Sequence, residues 1–170
     1  DDSTTGFIRP YEDGYSFMAL LPKEGISIED YISHLSAEKL IGLVENASTD
    51  YEVDAAIPKF KSEYSIELKD TLQNMGMTDA FDEEQADFRG IGTSDNGNIY
   101  INMVLHKTYI EVDEQGTKAG ASTVVGMAET MSLYEPEIKT VHLDRPFVYA
   151  IIDTETQMPI FLGVTESVEE

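Results

Sequence analysis

The chain has 170 residues, 41% of them hydrophobic and 26% charged, with no cysteine and a formal net charge of −22 at pH 7. That length accommodates one domain with a core of its own, and the balance is that of a globular protein, not a disordered or collagenous one. The acidic excess repels phosphates and so opposes nucleic-acid binding, the lack of thiols rules out disulfides, and the longest apolar runs, Phe17–Leu21 and Phe147–Ile152, are far below the roughly 20 residues of a membrane-spanning helix.

The chain opens Asp-Asp-Ser-Thr-Thr, without the basic start and apolar stretch of a leader, which is silent on secretion for a mature or excised piece. Tyr15–Leu21 is aromatic and apolar and ends at Pro22, as a buried strand does, and Gly6–Tyr11 is its hairpin partner through Glu12-Asp13-Gly14. Ser27, with Asp30 three residues on, caps a short helix whose Ile28, Tyr31, Ile32 and Leu35 share a face. Ser36 caps a second helix with Leu40, Leu43 and Val44 on its apolar side, and Asn46–Asp50 is a polar loop.

Tyr51–Ile57 alternates weakly and stops at Pro58, which predicts an edge strand. Phe60–Leu68 alternates apolar and polar residues as a half-buried strand does. Leu68–Met75 is a short helix, with Gly76 placed to end it in the left-handed conformation. Asp82–Asp87 is an acidic stretch, Ser94–Asn98 a turn cluster, and Ile99–Val112 one long strand-forming segment. Phe147–Ile152 is apolar throughout and is expected to be covered on both faces; a turn at Thr154–Gln157 leads to a last strand, Pro159–Val164. With no βαβ alternation, the class is α+β with mostly antiparallel sheets and short helices.

Catalytic signatures are missing: there is no Gly-x-Ser-x-Gly, phosphate-binding loop or dinucleotide fingerprint, so no enzyme and no cofactor is expected. His34, His106 and His142 lack paired ligand spacing, and Asp82, Glu83, Glu84 and Asp87 lack the glycine and terminal glutamate of a calcium loop, so no metal site is expected. Asn46-Ala47-Ser48 fits a glycosylation acceptor, a triplet common by chance.

Glu114–Ser132 stands apart. It has no proline, consists of small and β-branched residues, and follows a strand without a clear hairpin turn. At period two, Thr117, Ala119, Ala121, Thr123, Val125 and Met127 fall on one side, and Lys118, Gly120, Ser122, Val124, Gly126 and Ala128 on the other. Such a ribbon is chemically fit to be an exposed loop or a buried strand. A plain strand followed by a long connection fits the same pattern.

Six segments then occur in a recognisable order: Val53–Phe60 (VDAAIPKF), Met75–Phe81 (MGMTDAF), Ala86–Ile91 (ADFRGI, with Arg89 at a usual serine), His106-Lys107 before Glu111–Thr117 (EVDEQGT), Asp144–Phe147 (DRPF) and Phe161-Leu162-Gly163. Together they resemble the serpins, a family of serine protease inhibitors, over nearly the whole chain. The resemblance is to the C-terminal half of a bacterial-type serpin, so residues 1–170 are expected to be part of a single serpin domain.

The resemblance implies a reactive-centre loop at about 114–137 that a serine protease attacks as a suicide substrate and that then inserts into the main sheet. It implies a hinge of Glu114, Gly116, Thr117, Ala119, Gly120, Ala121, Ser122 and Thr123, with Lys118 in place of a usual glutamate. Family spacing from Gly116 puts the scissile bond at Thr130–Met131, or Met131–Ser132 for a one-residue shift. Either bond suits an elastase-like or subtilisin-like protease. His106 matches a residue that holds the central strands of the sheet together. The parent is expected to be extracellular or at the cell surface. A half serpin alone is expected to be inactive and prone to self-association through exposed sheet edges. The alternative is a non-inhibitory serpin-fold binding or chaperone protein.

Overall fold

The computed structural model describes residues 1–113, 116–117 and 137–167. The chain divides into two units, Asp1–Phe60 with Glu111–Glu170, and Lys61–Ile110.

In the first unit, β1 (Thr4–Pro10) and β2 (Tyr15–Pro22) form the expected hairpin, in register from Thr4 opposite Pro22 to Pro10 opposite Ser16. Gly14 takes φ 79°, the left-handed conformation that glycine adopts without steric cost, and Tyr11 N–H closes the turn on Tyr15 O at 2.8 Å. β8 (Phe147–Asp153) pairs antiparallel with β2 on one side and with β9 (Pro159–Thr165) on the other, giving a sheet ordered β1-β2-β8-β9. The two central strands are therefore the two apolar runs, and both are buried along their length except at one end, Tyr15 in β2 and Asp153 in β8.

One face of this sheet presents Met18, Leu20, Val148, Ala150 and Ile152 to Ile28, Tyr31 and Leu40. Those three come from α1 (Ile28–Ser33) and α2 (Ala37–Glu45). Each helix is capped as expected: Ser27 Oγ accepts from Asp30 N–H at 3.1 Å, and Ser36 Oγ from Lys39 N–H at 3.2 Å. Full burial of one such side chain contributes about 1.5–3 kcal/mol. Ile32 departs from expectation. It sits at the rim of the apolar stripe, one residue past Tyr31, and is 40% exposed.

β3 (Tyr51–Ala56) lies exposed, as an edge strand should. Its partner is β7 (Glu137–His142), a strand the sequence reading missed, and the two run parallel. This pair is the exception to the antiparallel expectation. It also shortens the expected loop, because Glu137 already belongs to a strand.

In the second unit, β4 (Phe60–Glu67) leads to α3 (Lys69–Asn74). The helix ends in the left-handed motif: Gly76 has φ 101°, its N–H donates to Gln73 O, and Met77 N–H donates to Leu72 O, both at 3.0 Å. A short 3-10 turn, Asp79–Phe81, buries Phe81. Two expectations fail here. Tyr64 is 56% exposed, although it alternates with the inward residues of β4. The long segment 99–112 begins as a strand only at Leu105, giving β5 (Leu105–Asp113). Before it, backbone groups are satisfied by turns and side chains: Ile101 N–H donates to Ala80 O, Val104 N–H to Glu67 Oε1, and Val104 O accepts from Leu68 N–H. Those bonds leave no ladder for the segment to join.

Candidate reactive-loop anchors

The two ends of the candidate loop are described, and its body is not. At the near end, β5 turns inward progressively: Thr108 is half-buried, and Ile110 and Val112 are buried. β6 (Gly116–Thr117) returns antiparallel along β5, with Thr117 opposite Val112 and Gly116 opposite Asp113. β6 lies beside β5 in a sheet ordered β4-β5-β6.

Of the expected site residues, Gly116 and Thr117 are in β6 and His106 is exposed near the start of β5. Glu114, Ala119, Gly120, Ala121, Ser122, Thr123, Thr130, Met131 and Ser132 lie outside the described residues, as does Lys118.

At the far end, β7 is fastened to β3 by charged and aromatic groups. Lys139 pairs with Glu137 and sits 4.7 Å over the Tyr51 ring. The Glu137 carboxylate raises the Lys139 pKa above its usual value. On the opposite face of the pair, His142 Nε2 lies 3.5 Å from Asp54 Oδ2. Beyond β7, Leu143 is buried and its N–H donates to Ala56 O at 2.9 Å. The sequence reading missed all of these. The signal available was the spacing of Glu137, Lys139 and His142 at the exit of the loop.

Three of the six segments meet around one aromatic cluster. Phe60 of the Pro-Lys-Phe segment packs edge-on against Phe147 of DRPF at 5.7 Å and against Tyr149 at 4.9 Å. Phe161 stacks on Tyr149 at 6.2 Å. Gly163, opposite Tyr149 in the ladder, leaves room for that ring: a Cβ there would stand 2.4 Å from its Cζ. Arg145 donates through Nε and Nη2 to Pro22 O at 3.3 and 3.0 Å and through Nη1 to Asp144 at 2.9 Å, tying the start of β8 to the end of β2.

In the ADFRGI segment, Arg89 forms a two-point pair with Asp87 at 2.8 and 2.6 Å and holds that carboxyl at about 2. Asn98 Nδ2 donates to Glu83 O and Ala86 O, closing the acidic stretch into a loop held by backbone contacts. Among the described residues, no three His, Asp or Glu side chains converge as a metal site, and no helix is long and apolar enough to cross a membrane.

Comparison with known proteins agrees with the six segments. The family model described as "Serpin (serine protease inhibitor)" matches residues 4–167. A serpin-like protein of Thermococcus kodakarensis is 38% identical over 155 residues, covering 91% of this chain and 35% of that protein. Iris of Ixodes ricinus is 34% identical over 166 residues, covering 96% and 42%.

Among solved structures, the native state of the thermophilic serpin tengpin superposes with a TM-score of 0.77 at 48% identity, over 98% of this chain and 43% of that one. Thyroxine-binding globulin in complex with thyroxine gives 0.70 at 27% identity, over 99% and 42%. The chain spans between 35% and 42% of the length of the curated relatives it matches. Matched over residues 4–167 by the family model, the chain belongs to the serpin family.

Proposed function

We propose that the protein carrying this chain inhibits a serine protease as a suicide substrate, through a loop running from Glu114 to the start of β7. The observation that carries this reading is the antiparallel return of Gly116 and Thr117 on β5. A loop that inserts beside β5 must run in that direction, and its first residues already do.

The protease serine would attack the Thr130 carbonyl, forming an acyl bond there and releasing the amine of Met131; the alternative bond is Met131–Ser132. The freed segment then extends β6 along β5. Each added backbone pair and buried side chain contributes on the order of 1 kcal/mol. The hinge residues Gly116, Thr117, Ala119, Gly120, Ala121, Ser122 and Thr123 are small enough to enter a sheet interior without clashes, and His106, on β5, is the proposed switch between the strands that must part. Glu114 opens the hinge.

The uncharged scissile residue favours an elastase-like or subtilisin-like target over a trypsin-like one. The parent is read as a bacterial-type serpin, and its extracellular or cell-surface location is inferred from the family resemblance. With the rest of a serpin outside this chain, residues 1–170 alone are expected not to inhibit and to self-associate through sheet edges such as β9.

The test mixes the full-length protein with elastase-like and subtilisin-like proteases. A covalent complex surviving denaturing electrophoresis is expected, and its absence with every serine protease tried would sink the reading. The likeness to thyroxine-binding globulin favours a second reading, a serpin-fold carrier that inhibits nothing. It predicts cleavage in the loop with neither a complex nor a gain in thermal stability.

A further inference from the structure

Asparagine is a chemically labile residue. Its side-chain carbonyl carbon is an electrophile within reach of the next residue's backbone nitrogen, and attack closes a five-membered cyclic imide. Two things oppose the closure: a side chain on the next residue, which crowds that nitrogen, and a backbone fixed in regular structure.

The asparagines of this chain are Asn46, Asn74, Asn96, Asn98 and Asn102, and Asn96 alone is followed by glycine. The others are also held. Asn46 caps α2 and donates through Nδ2 to Gly42 O at 2.7 Å. Asn74 is the last residue of α3. Asn98 Nδ2 donates to Glu83 O at 2.9 Å and to Ala86 O at 2.8 Å. Asn102 precedes Met103 and lies between Ile101 and Val104, whose N–H groups are engaged by Ala80 O and Glu67 Oε1.

Asn96 is exposed in a turn outside any helix or strand, and its own N–H donates to Ser94 Oγ at 3.1 Å. Gly97 has φ 130°, a conformation open to glycine and costly for residues with a Cβ. Among the described residues, nothing lies within 4 Å of where a Cβ on Gly97 would stand. Asp13-Gly14 offers the same ring closure in a less reactive form. Its ionised carboxylate is a poor electrophile, and Gly14 O is fastened by Thr154 N–H at 3.0 Å and Thr154 Oγ1 at 2.7 Å.

We propose that Asn96 is a site of spontaneous covalent modification, at which the chain deamidates through a cyclic imide formed with Gly97. The Gly97 nitrogen gives up its proton to hydroxide and attacks Asn96 Cγ. The Cγ–Nδ2 bond breaks and ammonia leaves. Water then opens the imide. Cleavage between nitrogen and Cγ gives aspartate, and cleavage between nitrogen and the main-chain carbonyl carbon gives isoaspartate, with the backbone rerouted through the side chain. The net change is one water consumed and one ammonia released, with no oxidation or reduction. Either product places a new carboxylate beside Asp95. Isoaspartate also lengthens the backbone by one carbon just ahead of Asn98, so the tie from Asn98 to Glu83 and Ala86 is the contact it disturbs.

The test holds the full-length protein in mildly alkaline buffer and maps its peptides by mass spectrometry over time. The peptide bearing Asn96 should gain the mass difference between OH and NH2 before any other asparagine peptide does. Isoaspartate should exceed aspartate in it, and the intact protein should shift by one charge to the acid side on isoelectric focusing. Asn96→Gln, which would need a slower six-membered closure, should abolish that early shift. Conversion first at another asparagine, conversion to aspartate alone, an early shift that persists in Asn96→Gln, or a rate no faster in mild alkali than in mild acid would each overturn the proposal. The readout is a mass and a charge, so it stands or falls independently of the inhibitor reading.

Discussion

Gly163 shows how one residue can be fixed by its neighbour. Tyr149 is almost wholly buried, clamped between Phe60 and Phe161, and has no space to retreat from a methyl group at Gly163. Gly163→Ala should therefore destabilise the fold by about 1–3 kcal/mol, the range for overpacking a tight core, and lower the melting temperature accordingly. Gly76 is fixed differently, by its own backbone at φ 101° in open space, and Gly76→Ala should cost about 1 kcal/mol without any clash.

Asp87 offers a residue-scale measurement with a definite sign. Arg89 depresses its carboxyl to about 2, so the pair's contribution is complete above the ordinary carboxylate range and is lost as pH falls through about 2. Side-chain NMR should find that midpoint, and Arg89→Ser should move it up towards the ordinary range. The pair is exposed, so global stability at neutral pH should hardly change.

Among the elements, α2 depends on its cap, since it is short and buries only Leu40 fully. Ser36→Ala removes the acceptor for Lys39 N–H and should cost about 1 kcal/mol by chemical denaturation. The helices and the four-stranded sheet were legible because each is a local pattern: a capping serine, an apolar face, an unbroken apolar run, a Gly turn. β7 was not. Its six residues are mostly exposed and alternate Ile138, Thr140 and His142 with Lys139 and Val141, a pattern that a polar loop also produces. Its partner β3 lies far away in sequence, and parallel pairing leaves no turn signature between them. Ile99–Val104 failed for the opposite reason. Its composition suits a strand, but its backbone groups found partners at Ala80, Glu67 and Leu68 first.

At the scale of the molecule, the proposed mechanism makes insertion of slim residues beside β5 the step that decides inhibition against mere cleavage. Thr117→Arg in the full-length protein should therefore convert an inhibitor into a substrate. The same protease should still cut the loop, but little or no denaturant-resistant complex should survive on gels. In the natural sequence, cleavage followed by insertion should raise the melting temperature markedly, since a further strand joins the sheet.

The sequence by itself determined the α+β class, the central strands β2 and β8, the helix caps and the family, because alternation, caps and ordered short motifs are properties of neighbouring residues. The ends of the candidate loop were decided only by tertiary structure. That β6 turns back on β5, that β7 lies parallel on β3, and that Asp54 meets His142 all depend on backbone partners brought together from distant parts of the chain, and no local pattern encodes which distant edge a strand will find.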